Sequence, residues 1–113
     1  VAGEQAMKER QRNQLFNGKT LKSRISAIRS MRNNTYHELV PELLKLVADA
    51  SQPLELRVNT AECLGWFAHT PRRAEIIDAC RQAAADKNLE KELRDELTQT
   101  AIRLESTVSV PTR

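Results

Sequence analysis

The stretch from Leu54 to His69, LELRVNTAECLGWFAH, constrains the fold of this chain more than any other. At roughly 100° per residue, Leu54, Val58, Ala61, Leu64, Gly65 and Ala68 gather on one side of a helix, with Leu56, Thr60, Cys63 and Phe67 on the flank beside it. Glu55, Asn59, Glu62 and Trp66 take the remaining sector. An apolar arc this wide exceeds the stripe by which a surface helix attaches to its core, so this helix needs neighbours on two or three sides. Arg57 falls inside the arc. Its stem must be buried and its guanidinium must reach an acceptor, either a helix-end carbonyl or a carboxylate such as Asp49 or Asp86. Gln52-Pro53 sets a proline in the helix's first turn.

The rest of the chain reads as company for this helix. Residues 5–16 are polar nearly all round and form a helix or linker that Asn17-Gly18 stops. Thr20 caps a second helix with the narrow stripe Leu21, Ile25, Ile28 and Met31, and Lys19, Lys22, Ser26 and Arg29 point the other way. Thr35 and Glu38 have capping-box spacing. Pro41 deep inside a helix would cost about 3 kcal/mol, so the regular helix starts near His37 or Glu38. Leu39, Val40, Leu43, Leu44 and Val47 then form its buried side, and Glu38, Glu42, Lys45 and Asp49 its wet side. After the central helix, Thr70-Pro71 reads as N-cap and first-turn proline of a helix running to about Ala85, with Ala74, Ile77, Cys80 and Ala84 inward and Ile76 beside them. Leu89, Leu93, Leu97, Thr100, Ala101 and Leu104 make the stripe of a last helix. Ile102 lies off that stripe, an apolar flank to be covered by the tail through Val108 and Val110, by a second copy or by another domain.

This pattern divides the chain into a polar helix or linker (1–18), a helical domain (19–105) and a tail (106–113). The 113 residues amount to one domain's worth of chain, and 40% hydrophobic with 29% charged content belongs to a globular one. No apolar run approaches the ~20 residues of a membrane span. The first residue is Val1 and no signal peptide is visible, so the chain is expected to be a piece of a longer protein. The compartment stays open, with the cytoplasm favoured.

Arg24, Arg57 and Arg94 recur near the starts of alternate helices, 33 and 37 residues apart, and Ile28 and Met31 correspond to Ala61 and Leu64. Self-similarity at such a period marks a solenoid of stacked helix pairs. Arg57-Val58, Ala61 and Leu64-Gly65 resemble the first helix of a HEAT-type repeat, and Leu39-Val40-Pro41-Glu42-Leu43-Leu44 resembles the start of its second helix. The likeness is best over residues 39–85. It departs at Arg32, which stands where Gly65 stands one repeat later, and at Ala101, where a leucine would fit. The resemblance implies an all-α fold: a short right-handed α–α superhelix of about six helices, two complete pairs plus terminal helices. It also implies that second helices line a concave surface, presenting Glu38, Glu42, Lys45 and Asp49, then Glu75, Asp78, Arg81 and Gln82.

The residues name no reaction. Cys63 and Cys80 form no C-x-x-C pair and have no zinc-like spacing with His37 or His69; they read as buried thiols, with a disulfide left open. Cys63 and His69 point to different sides of their helix, against a local dyad. A Gly-rich phosphate loop and an H-E-x-x-H pattern are both missing. The expectation is therefore a non-enzymatic module without cofactor or metal, which binds a protein or another domain of its own longer chain. Trp66, the only tryptophan, is its candidate anchor. The alternative is nucleic-acid binding. Residues 1–37 carry eight Lys/Arg against Glu4 and Glu9, and Lys19, Lys22 and Arg29 lie in a stretch without any carboxylate. Scarce aromatics, at 4%, weigh against base stacking.

Overall fold

Local chemistry sets most of the helix boundaries. The computed structural model describes residues 2–107, which form α1 (Ala2–Asn17), α2 (Leu21–Ser30), α3 (Val40–Ala48), α4 (Leu54–Leu64), α5 (Arg73–Ala84) and α6 (Lys91–Ser106), with no strand among the described residues. Gly18 closes α1 by donating to the Gln14 carbonyl at 3.0 Å. A Cβ there would sit inside contact distance of that same oxygen. The Thr20 hydroxyl caps α2 by accepting from the Ser23 amide at 3.0 Å. A 3-10 turn over His37–Leu39 leads into α3, whose first turn holds Pro41. The Thr35–Glu38 capping box does not form. Tyr36 and Leu39 occupy the N-cap positions of the turn and of α3, without side-chain caps.

The central helix is shorter than its apolar pattern. It ends at Leu64 rather than His69, and the chain then tightens through bonds from Gly65, Trp66 and Phe67 amides to the Glu62, Cys63 and Leu64 carbonyls. Phe67 continues the helical spacing in sequence, yet it enters the core from a turn, 1% exposed. Thr70 and Pro71 stay in the following turn, and α5 starts with Arg72 as N-cap.

Helices joined by short connections pack on each other. Three residues join α1 to α2, five join α3 to α4, and six join α5 to α6, and these are the pairs in contact. In addition α2 packs on α4, α4 on α6, and α3 touches α5. The pairing is one helix out of step with the sequence expectation, which joined α2 to α3 and α4 to α5 and left α6 single. The molecule measures 44 × 41 × 17 Å, about two helices deep at the usual 8–10 Å between axes.

Packed against α2, α3 and α6, α4 buries Leu56, Thr60, Ala61, Cys63 and Leu64, whereas Leu54 and Val58 are half-buried. Its apolar centre is thus the side read from sequence as the flank. The same rotation holds in α5, where Ile76 and Cys80 are fully buried and Ala74 is exposed. α6 buries Leu93, Leu97, Thr100, Ala101 and Leu104 as its spacing predicts. Thr100 ties it to α4 by donating to the Ala61 carbonyl at 2.7 Å. At the other end, Leu15 of α1 is fully buried in the core. Val108 and Val110, one of the covers considered for Ile102, lie outside the described residues.

The three recurrent arginines do related work. Arg24 Nε donates to the Leu15 carbonyl at 2.7 Å, and Arg57 Nε to the Val47 carbonyl at 2.8 Å. Each satisfies a carbonyl in the last turn of the paired helix, where no backbone partner exists. Each also reaches forward to the residues preceding the next even-numbered helix. Arg24 Nη2 donates to Gln52 at 3.0 Å, and Arg57 Nη1 stands 3.7 Å from Glu90. The acceptor of Arg57 is thus the expected helix-end carbonyl, while the nearby carboxylate is Glu90 rather than Asp49 or Asp86. Arg94 departs from the pattern, donating at 3.1 Å to Leu89 in the turn before its own helix.

Candidate partner-binding surface

The C-terminal ends of α2, α4 and α6 bring together Arg32, Glu62, Trp66 and Arg103. Glu62, in the last turn of α4, is the hub. Its Oε1 accepts from Arg32 Nε at 3.0 Å and Nη2 at 2.7 Å, and its Oε2 accepts from Trp66 Nε1 at 3.1 Å. Arg103 Nη1 lies 3.8 Å from the same Oε2. The Arg32 and Arg103 guanidiniums stand 6.0 and 5.9 Å from the indole centre, at the edge of cation–π range. Gly65 makes room for this arrangement, since a Cβ there would meet Arg103 Nη1 at 2.9 Å and its Cδ at 3.3 Å. Burial, followed by the negative charge of Glu62, pushes the Glu96 carboxyl above the usual glutamate range, and Arg103 opposes the shift.

Trp66 nevertheless keeps half its surface, 50%, in solvent. A large apolar ring is held in one orientation by its own N–H and by flanking guanidiniums. Docking a partner on it therefore costs little side-chain entropy. Trp and Arg are also the residue types most concentrated in binding hot spots. The wheel at 54–69 finds Trp66, but the helix it assumes stops before that residue. Arg32 and Arg103 were missed. One signal was legible: Arg103 follows Trp66 by 37 residues, the interval that separates Arg57 from Arg94.

The other sequence candidates meet intrachain partners. Glu42 accepts two bonds from Arg12 Nε, at 2.8 and 3.1 Å, and Lys8 and His37 lie 4.0 and 3.7 Å from Glu38. Asp49 accepts from the Ser51 amide and hydroxyl, which hold its carboxyl below the usual range. Glu75 pairs with Arg72 at 2.8 Å, Asp78 accepts from Gln82 at 3.4 Å, and Arg81 pairs with Glu105. Lys45 is exposed. Glu42, Lys45 and Asp49 line one shallow hollow, Glu75, Asp78 and Arg81 line another, and Glu38 and Gln82 line two others, so the eight residues do not form one surface. On α2 and just before it, Lys19, Lys22 and Arg29 are exposed without an ion pair among the described residues.

Cys63 and Cys80 are free and buried, and burial raises their thiols to about 12 and about 11. Among the described residues no group of three or more His, Cys, Asp or Glu could hold a metal ion, and no helix is long and apolar enough to cross a membrane. No protein-family model, curated protein or solved structure matches the chain, so the reading of this surface rests on its own residues.

Proposed function

We propose that this chain is a non-catalytic HEAT-type helical-repeat module, a short solenoid that docks a protein partner or another domain of its own longer chain on the Trp66 surface. The observation that carries this reading is the half-exposed indole fixed by Glu62 and flanked by Arg32 and Arg103. Support comes also from the arginine ladder at repeat spacing, while the pairing of α1 with α2, α3 with α4, and α5 with α6 makes α4 the second helix of its pair where the resemblance has it first. In that phase the second helix of each pair is α2, α4 or α6, the type that commonly lines the concave face of HEAT-like solenoids. Trp66, Arg32 and Arg103 all sit at the ends of these helices.

The test is crosslinking and co-purification of the full-length protein from its source cell, comparing wild type with Trp66→Ser. Loss of one partner, or of an interdomain crosslink, in the variant supports the proposal. Undiminished recovery of every partner overturns it. Nucleic acid is the second reading, favoured by the exposed Lys19, Lys22 and Arg29. It requires affinity that falls steeply as salt rises, and lack of binding at about 50 mM salt removes it.

A further inference from the structure

The odd-numbered helices leave a hollow of about 420 Å³ between α3 and α5, within the size range of ligand pockets. Its walls are Leu44 and Val47 from α3 and Ala79, Cys80 and Ala83 from α5, and Leu97 of α6 also lines it. The small side chains of α5 leave the space open. Arg57 lines the same hollow. It is 3% exposed, and its only hydrogen bond among the described residues runs from Nε to the Val47 carbonyl. Nη1 pairs with Glu90 at 3.7 Å, beyond hydrogen-bond distance, and neither terminal nitrogen donates a hydrogen bond among the described residues. A guanidinium with a buried stem, a fork free of hydrogen bonds and only a half-exposed glutamate beside it is a receptor for a carboxylate, which can accept two parallel bonds.

The mouth carries the opposite sign. Asp86 lines the hollow and Glu90 faces Arg57. Asp49 and Asp86 stand just beyond α3 and α5, where helix C-termini add further negative potential. Asp86 Oδ1 accepts from the Asn88 amide at 2.9 Å, which anchors this carboxylate at the rim. A simple anion would be repelled there. The occupant needs a carboxylate inside, an apolar body against the alanines, and a cation outside.

We propose that this hollow captures the free C-terminus of a partner polypeptide: the terminal carboxylate on Arg57, the last apolar side chain against Ala79 and Ala83, and an upstream Lys or Arg at Asp86 and Glu90. This site is separate from the Trp66 surface and does not depend on it.

The probe is a fluorescent hexapeptide with a lysine upstream of a C-terminal leucine, compared with its C-terminal amide by anisotropy on the wild-type protein. The free acid binds, and the amide binds at least about tenfold more weakly. Asp86→Asn, which keeps a side-chain acceptor for the turn, weakens the lysine peptide but not a version with alanine in place of lysine. Ala83→Leu fills the hollow and abolishes binding, while Trp66→Ser leaves it unchanged. Equal affinity of acid and amide, or no saturable binding up to about 1 mM, overturns the proposal. So does unchanged affinity in an Ala83→Leu protein that melts like wild type. The acid–amide comparison needs no variant, so the proposal remains decidable if a substitution fails to fold.

Discussion

Replacing Arg57 by alanine removes the one charged side chain that the core encloses among the described residues, so its cost can be worked from the contacts it makes. The Nε bond to Val47 is charge-assisted, 2.8 Å long and buried, and such bonds contribute about 1.5–3 kcal/mol. Two methylenes of the stem also lose their packing, at roughly 0.8 kcal/mol each. Relief of the cost of burying the charge offsets part of this, leaving a net loss of about 3 kcal/mol from a domain stability of order 5–15 kcal/mol. At slopes of about 1–3 kcal/mol per M in urea, the midpoint falls by roughly 1–3 M. Arg29→Ala deletes the same charge from an exposed position, where substitutions stay within about 0.5 kcal/mol. Arg24→Ala falls between them, because that side chain also holds a helix-end carbonyl but is only part-buried. Urea melts of the three variants, read at equal slope, make the comparison. Coincident midpoints for Arg57→Ala and Arg29→Ala would refute the claim that Arg57 ties α4 to α3.

Thr100→Val removes the bond from α6 to the Ala61 carbonyl and is expected to cost about 1–2 kcal/mol. Thr60→Val, whose hydroxyl bonds only to the Leu56 carbonyl of its own helix, costs less than half as much; thermal melts of the two variants check the difference. Glu96 has its carboxyl raised by burial and by Glu62, so the folded chain holds that proton more tightly than the unfolded chain. Its ionised form therefore opposes folding. Glu96→Gln is expected to raise the melting midpoint near pH 7, with the gain vanishing as the pH falls below the ordinary glutamate value of about 4.3. Cys63 and Cys80, fully buried with thiols raised to about 12 and about 11, should resist a thiol reagent at about pH 8 in the folded protein. Both should react in urea; rapid native labelling of either would place it outside the core.

Helix number and fold class are legible because 3.6-residue periodicity survives in the segments after the polar first helix, and the stripe of α6 is read residue by residue. Arg57 is legible for a related reason: a charge inside an apolar arc has few alternatives to burial with an acceptor. What escapes is whatever depends on chain geometry between helices. Phe67 keeps the helical spacing but is buried from a turn, so the end of α4 is hidden in its own pattern. Spacing makes α2, α4 and α6 equivalent without saying whether each pairs with its predecessor or its successor, and connection length decides that. Ala74 carries too little apolar surface to fix the rotation of α5. At the candidate site the spacing singles out Trp66, but its exposure does not follow from a helix that ends at Leu64. The positions of Arg32 and Arg103 do not follow either, because they reach Glu62 from two other helices, some 30 and 41 residues away in sequence.

Trp66 is the only tryptophan in the chain, so its fluorescence reports directly on the surface proposed to dock the partner. The measurement is its emission maximum and acrylamide quenching, free and in the saturated complex with the partner recovered by crosslinking, using a tryptophan-free fragment of that partner. The half-exposed indole should be quenched readily in the free protein; on binding its emission should shift to the blue and the quenching should fall severalfold. Unchanged emission and quenching in a saturated complex would place the interface elsewhere and contradict the role assigned to Trp66.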